Sequence, residues 1–310
     1  MLYVAAGALM GGAALFLLAC RLLPGVADIW LTAVFAPISG ALSALSGRWG
    51  FALAEPLALL LGASLVFLLF RSRRGACLLL SVVVAGYVLL WAPAYFAAPR
   101  RPVGKADASA LATVCAELVE RLNVCEAFTL PDNFEQRALE TALLVDTPAR
   151  PAAAPKYARY PEWMRVLTVA GIYVPWTFEA LLNPAEAPAG QPFTAVHELM
   201  HMGGIADEGQ ANICAYEACS RAGGAFAYSA DLWALRYALE EMRALEPALG
   251  NAFVQALTAS VRSDFFAIGG VSPSTSARGG VVQAFLQVSG IAAKTDSYGA
   301  LAAWLCDIYV

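Results

Sequence analysis

"PFTAVHELMHMGGIADEGQAN", residues 192–212, holds both histidines of the chain, His197 and His201, with Glu198 between them. Residues four apart share one face of an α-helix, so both imidazoles can reach one metal ion. Glu198 lies one residue round, where its carboxylate can reach a water on that ion. This is the HExxH arrangement, two zinc ligands and a general base, and it makes Zn2+ the expected cofactor. HExxH also occurs in helices that bind nothing, but no other histidine dilutes the signal here. A site of this type needs a third protein ligand. Gly203 and Gly204 can end the helix and turn the chain back, and two acids follow, Asp207 and Glu208. Asp207 completes the spacing HExxHxxGxxD, in which metzincin-like enzymes place that ligand. Glu208 heads the next predicted helix, "EGQANICAYEAC". Spacing alone leans to Asp207, and either acid could instead cap that helix.

The rest of the chain sets where such a site stands. Of 310 residues, 59% are hydrophobic and 14% are charged. That is too apolar for an ordinary soluble domain and too charged for an all-membrane one, so a membrane part and a globular part are expected. The net charge is −4, and no basic run is long enough to suggest a nucleic-acid partner. Residues 1–98 read as a membrane domain whose partner is the lipid bilayer. Uncharged or nearly uncharged runs at 2–20, 49–70 and 76–98 are long enough to span it. Residues 21–48 are apolar but broken by Pro24, Pro37 and several glycines. They are expected to lie as an amphipathic or partly re-entrant segment on the outer face, with a fourth span as the alternative. The short loop between the second and third spans carries Arg71, Arg73 and Arg74, and the positive-inside rule puts it in the cytoplasm. Everything after Ala98 is then extracytoplasmic. Arg100 and Arg101 run against the rule but are outnumbered. The first run lacks the positive n-region of a cleaved signal or a lipoprotein leader, although "LLAC" ends at Cys20.

Residues 99–310 read as one mostly helical domain. "DASALATVCAELVERLN" has helical apolar spacing with Asp107 as a cap. "NFEQRALETALLV", "YSADLWALRYALEEMRALE", "GNAFVQALTASVRSDFFA" and "SYGALAAWLCDIY" are further amphipathic helices. One β-like stretch, "GIYVPW" (171–176), precedes the motif. Cys115 and Cys125 could close a loop in an oxidising space. Cys214, Cys219 and Cys306 are expected to be small buried hydrophobes. No CxxC spacing supports a cysteine zinc site.

The segment "GIYVPWTFEALLN…PFTAVHELMHMGGIADEGQANICAYEAC" resembles the domain of unknown function 3810 family, bacterial membrane proteins with a zinc-peptidase-like motif. "VLLWAPAYFAAPR" is similar to that family's last span, "FAYSADLWALRYALEEM" to its Tyr-Ser helix, and "DSYGALAAWLCDIY" to its C-terminal helix. The resemblance covers nearly the whole chain. It implies a mainly α protein, with N-terminal transmembrane helices followed by a mostly helical extracytoplasmic zincin-like domain. It also implies a multi-pass protein of the cell membrane. The family typically has Arg-Glu-Asp-Glu-Ala-Asn after the glycine turn, where this chain has Asp207-Glu208-Gly209-Gln210-Ala211-Asn212. Glu208 keeps the first family glutamate, whereas the second has become the neutral Gln210. On this ground Glu208 is the expected third ligand and Asp207 the alternative. Glu179 matches a family glutamate and is expected to act as a structural acceptor more than a cleft residue. Tyr228 could donate to an oxyanion, Glu217 could reach the metal, and Asn212 could orient a ligand. For Tyr228 and Glu217 a packing or surface role is the plainer expectation, whereas for Asn212 orienting a ligand or the backbone is the simplest one.

Two functions follow. One is a membrane-anchored zinc-dependent metallopeptidase that hydrolyses peptide bonds of a peptide or protein substrate, with Glu198 as general base on a metal-activated water. The other is a catalytically inactive zincin-like membrane module that binds a peptide or an envelope partner, to which the change at Gln210 lends weight.

Overall fold

Four apolar helices begin the chain: α1 (Leu2–Leu22), α2 (Val26–Ser46), α3 (Ala54–Arg71) and α4 (Arg73–Leu90). Each is long and apolar enough to cross a membrane. They belong to a computed structural model that describes residues 1–125, 127–167, 169–268 and 298–309. The 269–297 part of the predicted globular domain, with the first two residues of "DSYGALAAWLCDIY", lies outside the described residues. α4 packs against both α1 and α3, and apolar side chains such as Leu59, Phe67 and Phe70 stand exposed on this group. Apolar surface on this scale is unfavourable in water and ordinary in lipid. The chain is a membrane protein.

α2 departs from the broken segment expected at 21–48. Pro24 falls in the turn before it, and Gly25, at φ 80, starts it. Pro37 lies inside a continuous helix. A proline there removes one donor and presses on the carbonyl four residues back. Leu31–Phe35 takes a π-helical turn immediately before it, and the wider hydrogen-bonded ring leaves room for the proline ring. The buried face of α2, Trp30, Leu31, Phe35, Ser39, Ser43 and Ser46, lies against the globular part. Phe35 meets Trp91 and Phe178, and the Ser39 hydroxyl donates to the Met202 carbonyl at 3.0 Å.

The globular part is mainly α. It comprises α5 (Ala108–Asn123), α6 (Phe134–Ala142), α7 (Glu162–Leu167), α8 (Gln191–Met202), α9 (Glu208–Ala222), α10 (Gly224–Leu245), α11 (Pro247–Ala256), α12 (Ala259–Ala267) and α13 (Tyr298–Tyr309). Asp107 caps α5, its carboxylate accepting the Ala110 N–H at 2.9 Å. The single helix expected over 250–267 is two, broken where Thr258 N–H donates to the Asn123 side chain. Three short strands, β1 (Lys156–Tyr157), β2 (Gly171–Val174) and β3 (Glu179–Leu182), form a sheet in the order β1-β3-β2. β1 runs parallel to β3, and β2 antiparallel. α8 sits centrally, packed on α6, α9, α10, β2 and β3. Cys115 and Cys125 are free. Cys115 points into the core from mid-α5 while Cys125 follows its end. About 15 Å of helix rise separates them, beyond disulfide reach.

Buried charge joins the two parts. The Glu179 carboxylate accepts the N–H groups of Leu53 and Ala54 at 3.0 and 2.8 Å and pairs with Lys156 Nζ at 2.7 Å. Lys156 also donates to the carbonyls of Ser46 and Phe51. Glu55 accepts the N–H groups of Arg159 and Tyr160. Glu179 is thus a structural acceptor that satisfies the otherwise unpaired donors at the head of α3. Trp233 is buried and donates its indole N–H to the Gly190 carbonyl, while Trp176 lies on α4 beside Gly86 and Val83. Removing one member of a buried pair costs about 3–5 kcal/mol because the other charge is left unmatched. Glu179→Ala in the full chain should therefore lower the melting temperature sharply, measured in detergent. Adding Lys156→Met should recover part of the loss.

Candidate metal centre

α8 ends because the chain must turn under α2. Gly203 closes the helix, and Gly204 takes φ 91, a left-handed conformation that favours glycine. A side chain at Gly204 would also strike Phe35 and Leu31, and one at Gly203 would strike Thr147. Ile205 N–H returns to the Met200 carbonyl at 3.1 Å. Asp207 then caps α9, its carboxylate accepting the Gln210 N–H at 2.9 Å. Capping takes up the side chain of Asp207 and leaves the next residue, Glu208, free to face α8.

The structure brings His197, His201 and Glu208 together, with one ligand atom from each within 4.8 Å of the others. The two Nε2 atoms are 3.1 Å apart. Glu208 Oε2 is 3.2 Å from His197 Nε2, and Oε1 is 3.5 Å from His201 Nε2. A tetrahedral zinc with bonds of about 2.0–2.1 Å holds its ligand atoms about 3.3 Å apart, so these donors fit the ion in number, type and spacing. The His201 Nδ1–H donates to the Ile205 carbonyl at 2.6 Å, which leaves the Nε2 lone pair of the neutral ring facing the cluster. Trp91 meets this ring edge-on at 5.9 Å. His197 Nδ1 is buried without a partner among the described residues.

Charge in the cluster is coupled. Burial works to lower the pKa of His201, but the Glu208 carboxylate beside it prevails and raises it to about 9. Desolvation opposes the charge on Glu208, and the two imidazoles hold it well below the usual carboxylate range. Glu198 is buried beside the cluster. Desolvation raises its pKa, while the neighbouring imidazoles pull the other way. Its carboxylate lies so close to β2 that a side chain at Gly171 would collide with it, and the backbone of Tyr173 favours its charged form.

The remaining expected residues stand elsewhere. Tyr228 donates to Asp264 at 2.7 Å and stacks on Phe128. Glu217 pairs with Arg101 at 2.7 Å and with Arg221. Neither joins the cluster. Gln210 is not directed at the metal donors. Its oxygen accepts the N–H groups of Arg100 and Arg101 at 2.9 and 2.7 Å, and its nitrogen donates to the Arg101 carbonyl at 2.9 Å. A carboxylate has no hydrogen to give that carbonyl, so the amide suits a clasp on the chain leaving α4. The sequence offers no signal for Glu186, buried in the Pro/Ala-rich "NPAEAPAG". It accepts the Thr194 hydroxyl at 2.8 Å, its second oxygen lacks a partner among the described residues, and Glu198 is near enough to act on its charge.

The chain belongs to the DUF3810 family, described as a protein of unknown function, whose model matches residues 30–306. No curated protein and no solved structure matches it.

Burial raises the Glu186 pKa from 4.5 to about 8. The folded chain therefore keeps a proton there that the unfolded chain has already lost, and stability falls as the pH rises through that window. Glu186→Gln removes this loss. The variant and the parent should melt alike below about pH 4, where Glu186 is neutral in the folded and the unfolded chain. Above pH 8 the variant should melt higher, by the equivalent of a few kcal/mol, on the order of 1.4 kcal/mol for each tenfold change in proton affinity.

Proposed function

We propose that this DUF3810 protein is a membrane-anchored zinc peptidase whose globular part stands outside the cytoplasm. The observation that carries the proposal is the convergence of His197 Nε2, His201 Nε2 and one Glu208 carboxylate at spacings of 3.1–3.5 Å, with a buried carboxylate, Glu198, beside them. Orientation rests on the Arg71–Arg74 turn, which lies at the opposite end of α3 from the head of that helix bound by Glu179.

The three donors would hold the cation, which when bound supplies Lewis-acid polarisation of a carbonyl and acidifies a water. Glu198 takes that water's proton and returns it to the leaving amine. Its desolvated setting, which raises its pKa, brings its basicity nearer to that of the groups it serves. β2 is an edge strand of the sheet and runs past Glu198, so an extended polypeptide could pair along it with its scissile bond near the cation. The alternative, an inactive module that binds a peptide or an envelope partner, draws its weight from Gln210. The clasp on Arg100 and Arg101 accounts for that residue without any loss of ligand, and no other observation favours the alternative.

Elemental analysis of the purified full chain should find about one zinc per molecule, and His201→Ala should lose it. Below about 9 the metal-free His201 carries a proton. Zinc uptake at pH 7 should therefore release about one proton, readable by calorimetry in buffers of different ionisation heat. Glu198→Gln should keep the zinc yet lose about 10²-fold or more of its hydrolysis of a peptide library. Undiminished hydrolysis would exclude Glu198 as the base, and a folded chain that takes up no zinc would exclude the site.

A further inference from the structure

Length and composition allow α2 to be a fourth span, but its ends and its faces place it otherwise. The guanidinium of Arg74, at the start of α4, lies over the ring of Tyr3, at the start of α1. Toward the other end of α1, Phe16 packs on the globular core, which includes Trp91 just past α4. α1 and α4 are therefore parallel, and both finish on the side of the globular part. α3 runs the opposite way, since only the Ser72 turn separates its end from the start of α4. Its head is held by Glu179 and Glu55 to the sheet and its flank. The chain thus leaves α1 and enters α3 on one and the same side, and α2 lies between those two points.

The faces of α2 agree. The side turned to the protein holds Ser39, Ser43 and Ser46 beside Trp30, Leu31 and Phe35. The side turned away holds Ile29, Val34, Leu42 and Leu45, which are 67, 43, 38 and 51% exposed. Between Asp28 and Arg48 it has no charged residue. Asp28 accepts the Ala98 N–H at 3.2 Å, which ties the start of α2 to the exit of α4. From Trp30 to Ser46 the inward face stays on the globular part: Gly204 at Leu31 and Phe35, Met202 at Ser39, Lys156 at Ser46. A crossing helix would carry those contacts into the hydrocarbon. A helix lying in the surface plane keeps them at the water boundary, with only its outer face in lipid.

We propose that α2 rests on the phospholipid surface on the side of the globular part, with Ile29, Val34, Leu42 and Leu45 sunk at the headgroup–acyl boundary, and that the chain crosses the bilayer three times. The surface is continuous with the lipid-facing sides of α1, α3 and α4. The turn that links His201 to Glu208 is then seated at the membrane plane, because Gly204 packs on α2. None of this depends on the metal.

The test uses the full chain in phospholipid vesicles. Nitroxide labels are placed at Ile29→Cys, Val34→Cys or Leu42→Cys in a Cys77→Ser, Cys125→Ser background, and their depths are read from collisions with oxygen and with a water-soluble nickel complex. All three labels should sit at similar depth, about 5–10 Å below the headgroups. A depth difference approaching about 20 Å between positions 29 and 42, their separation along a helix axis, would overturn the proposal in favour of a span. Labels that meet only the nickel complex would overturn it in favour of a water-facing surface. Independently, Tyr3→Cys should react with an impermeant maleimide from the same side as Ser72→Cys. Reaction from the side of Val103→Cys would mean an even number of crossings and defeat it.

Discussion

The turn at Gly204 is the constraint on which the site and its seating both depend. α8 ends at Met202 with Gly203 as its cap, and a positive φ at Gly204 sends the chain back toward its own histidines. The same lack of a side chain admits Phe35 and Leu31 of α2 to the backbone. One residue therefore brings Glu208 to His197 and His201 and presses the membrane-associated helix onto the back of the turn. Two further choices complete it. Asp207 is consumed by its cap, and the Ile205 carbonyl receives the Nδ1–H of His201 and fixes the ring.

Buried carboxylates serve opposite ends in this protein. Glu179 has three donors, two of them backbone N–H groups that a helix start leaves unpaired, and a lysine to match its charge. It is a joint. Glu186 has one hydroxyl and, among the described residues, no partner for its second oxygen, so burial drives it toward the neutral acid. Glu198 lies between the extremes, desolvated but drawn toward its charged form by the imidazoles and the backbone of Tyr173. The environment, not the residue type, separates a structural anion from a group that can exchange a proton.

The local parts of this arrangement are legible in the sequence. HExxH reports itself because helical period is local, and the glycine pair announces a turn. The competition between Asp207 and Glu208 is not decided by spacing, since both acids can begin a helix. It is decided by which one takes the cap, for the capping side chain is bound to its own backbone and the following one is not. Gln210 misleads because a change of charge reads as a lost ligand, whereas its partners, the backbone of Arg100 and Arg101, are more than a hundred residues away. β3 escapes notice because "EALL" is buried on both faces and so lacks the alternation that marks a half-buried strand. The proline in α2 suggests a break that a π turn absorbs.

The cluster is organised by caps, glycines and packing rather than by a cation. Without one, the raised pKa of His201 says what balances the Glu208 charge: a proton on the imidazole, in the space between the same three atoms. On the proposed reading, a divalent ion would replace that proton and meet donors already spaced for it. Small zinc domains must recover the cost of folding from the metal. Here α8, the turn and α9 are fixed by a core that runs from Phe35 in α2 to Leu305 in α13. Ion binding at the proposed site would then add stability only in proportion to occupancy.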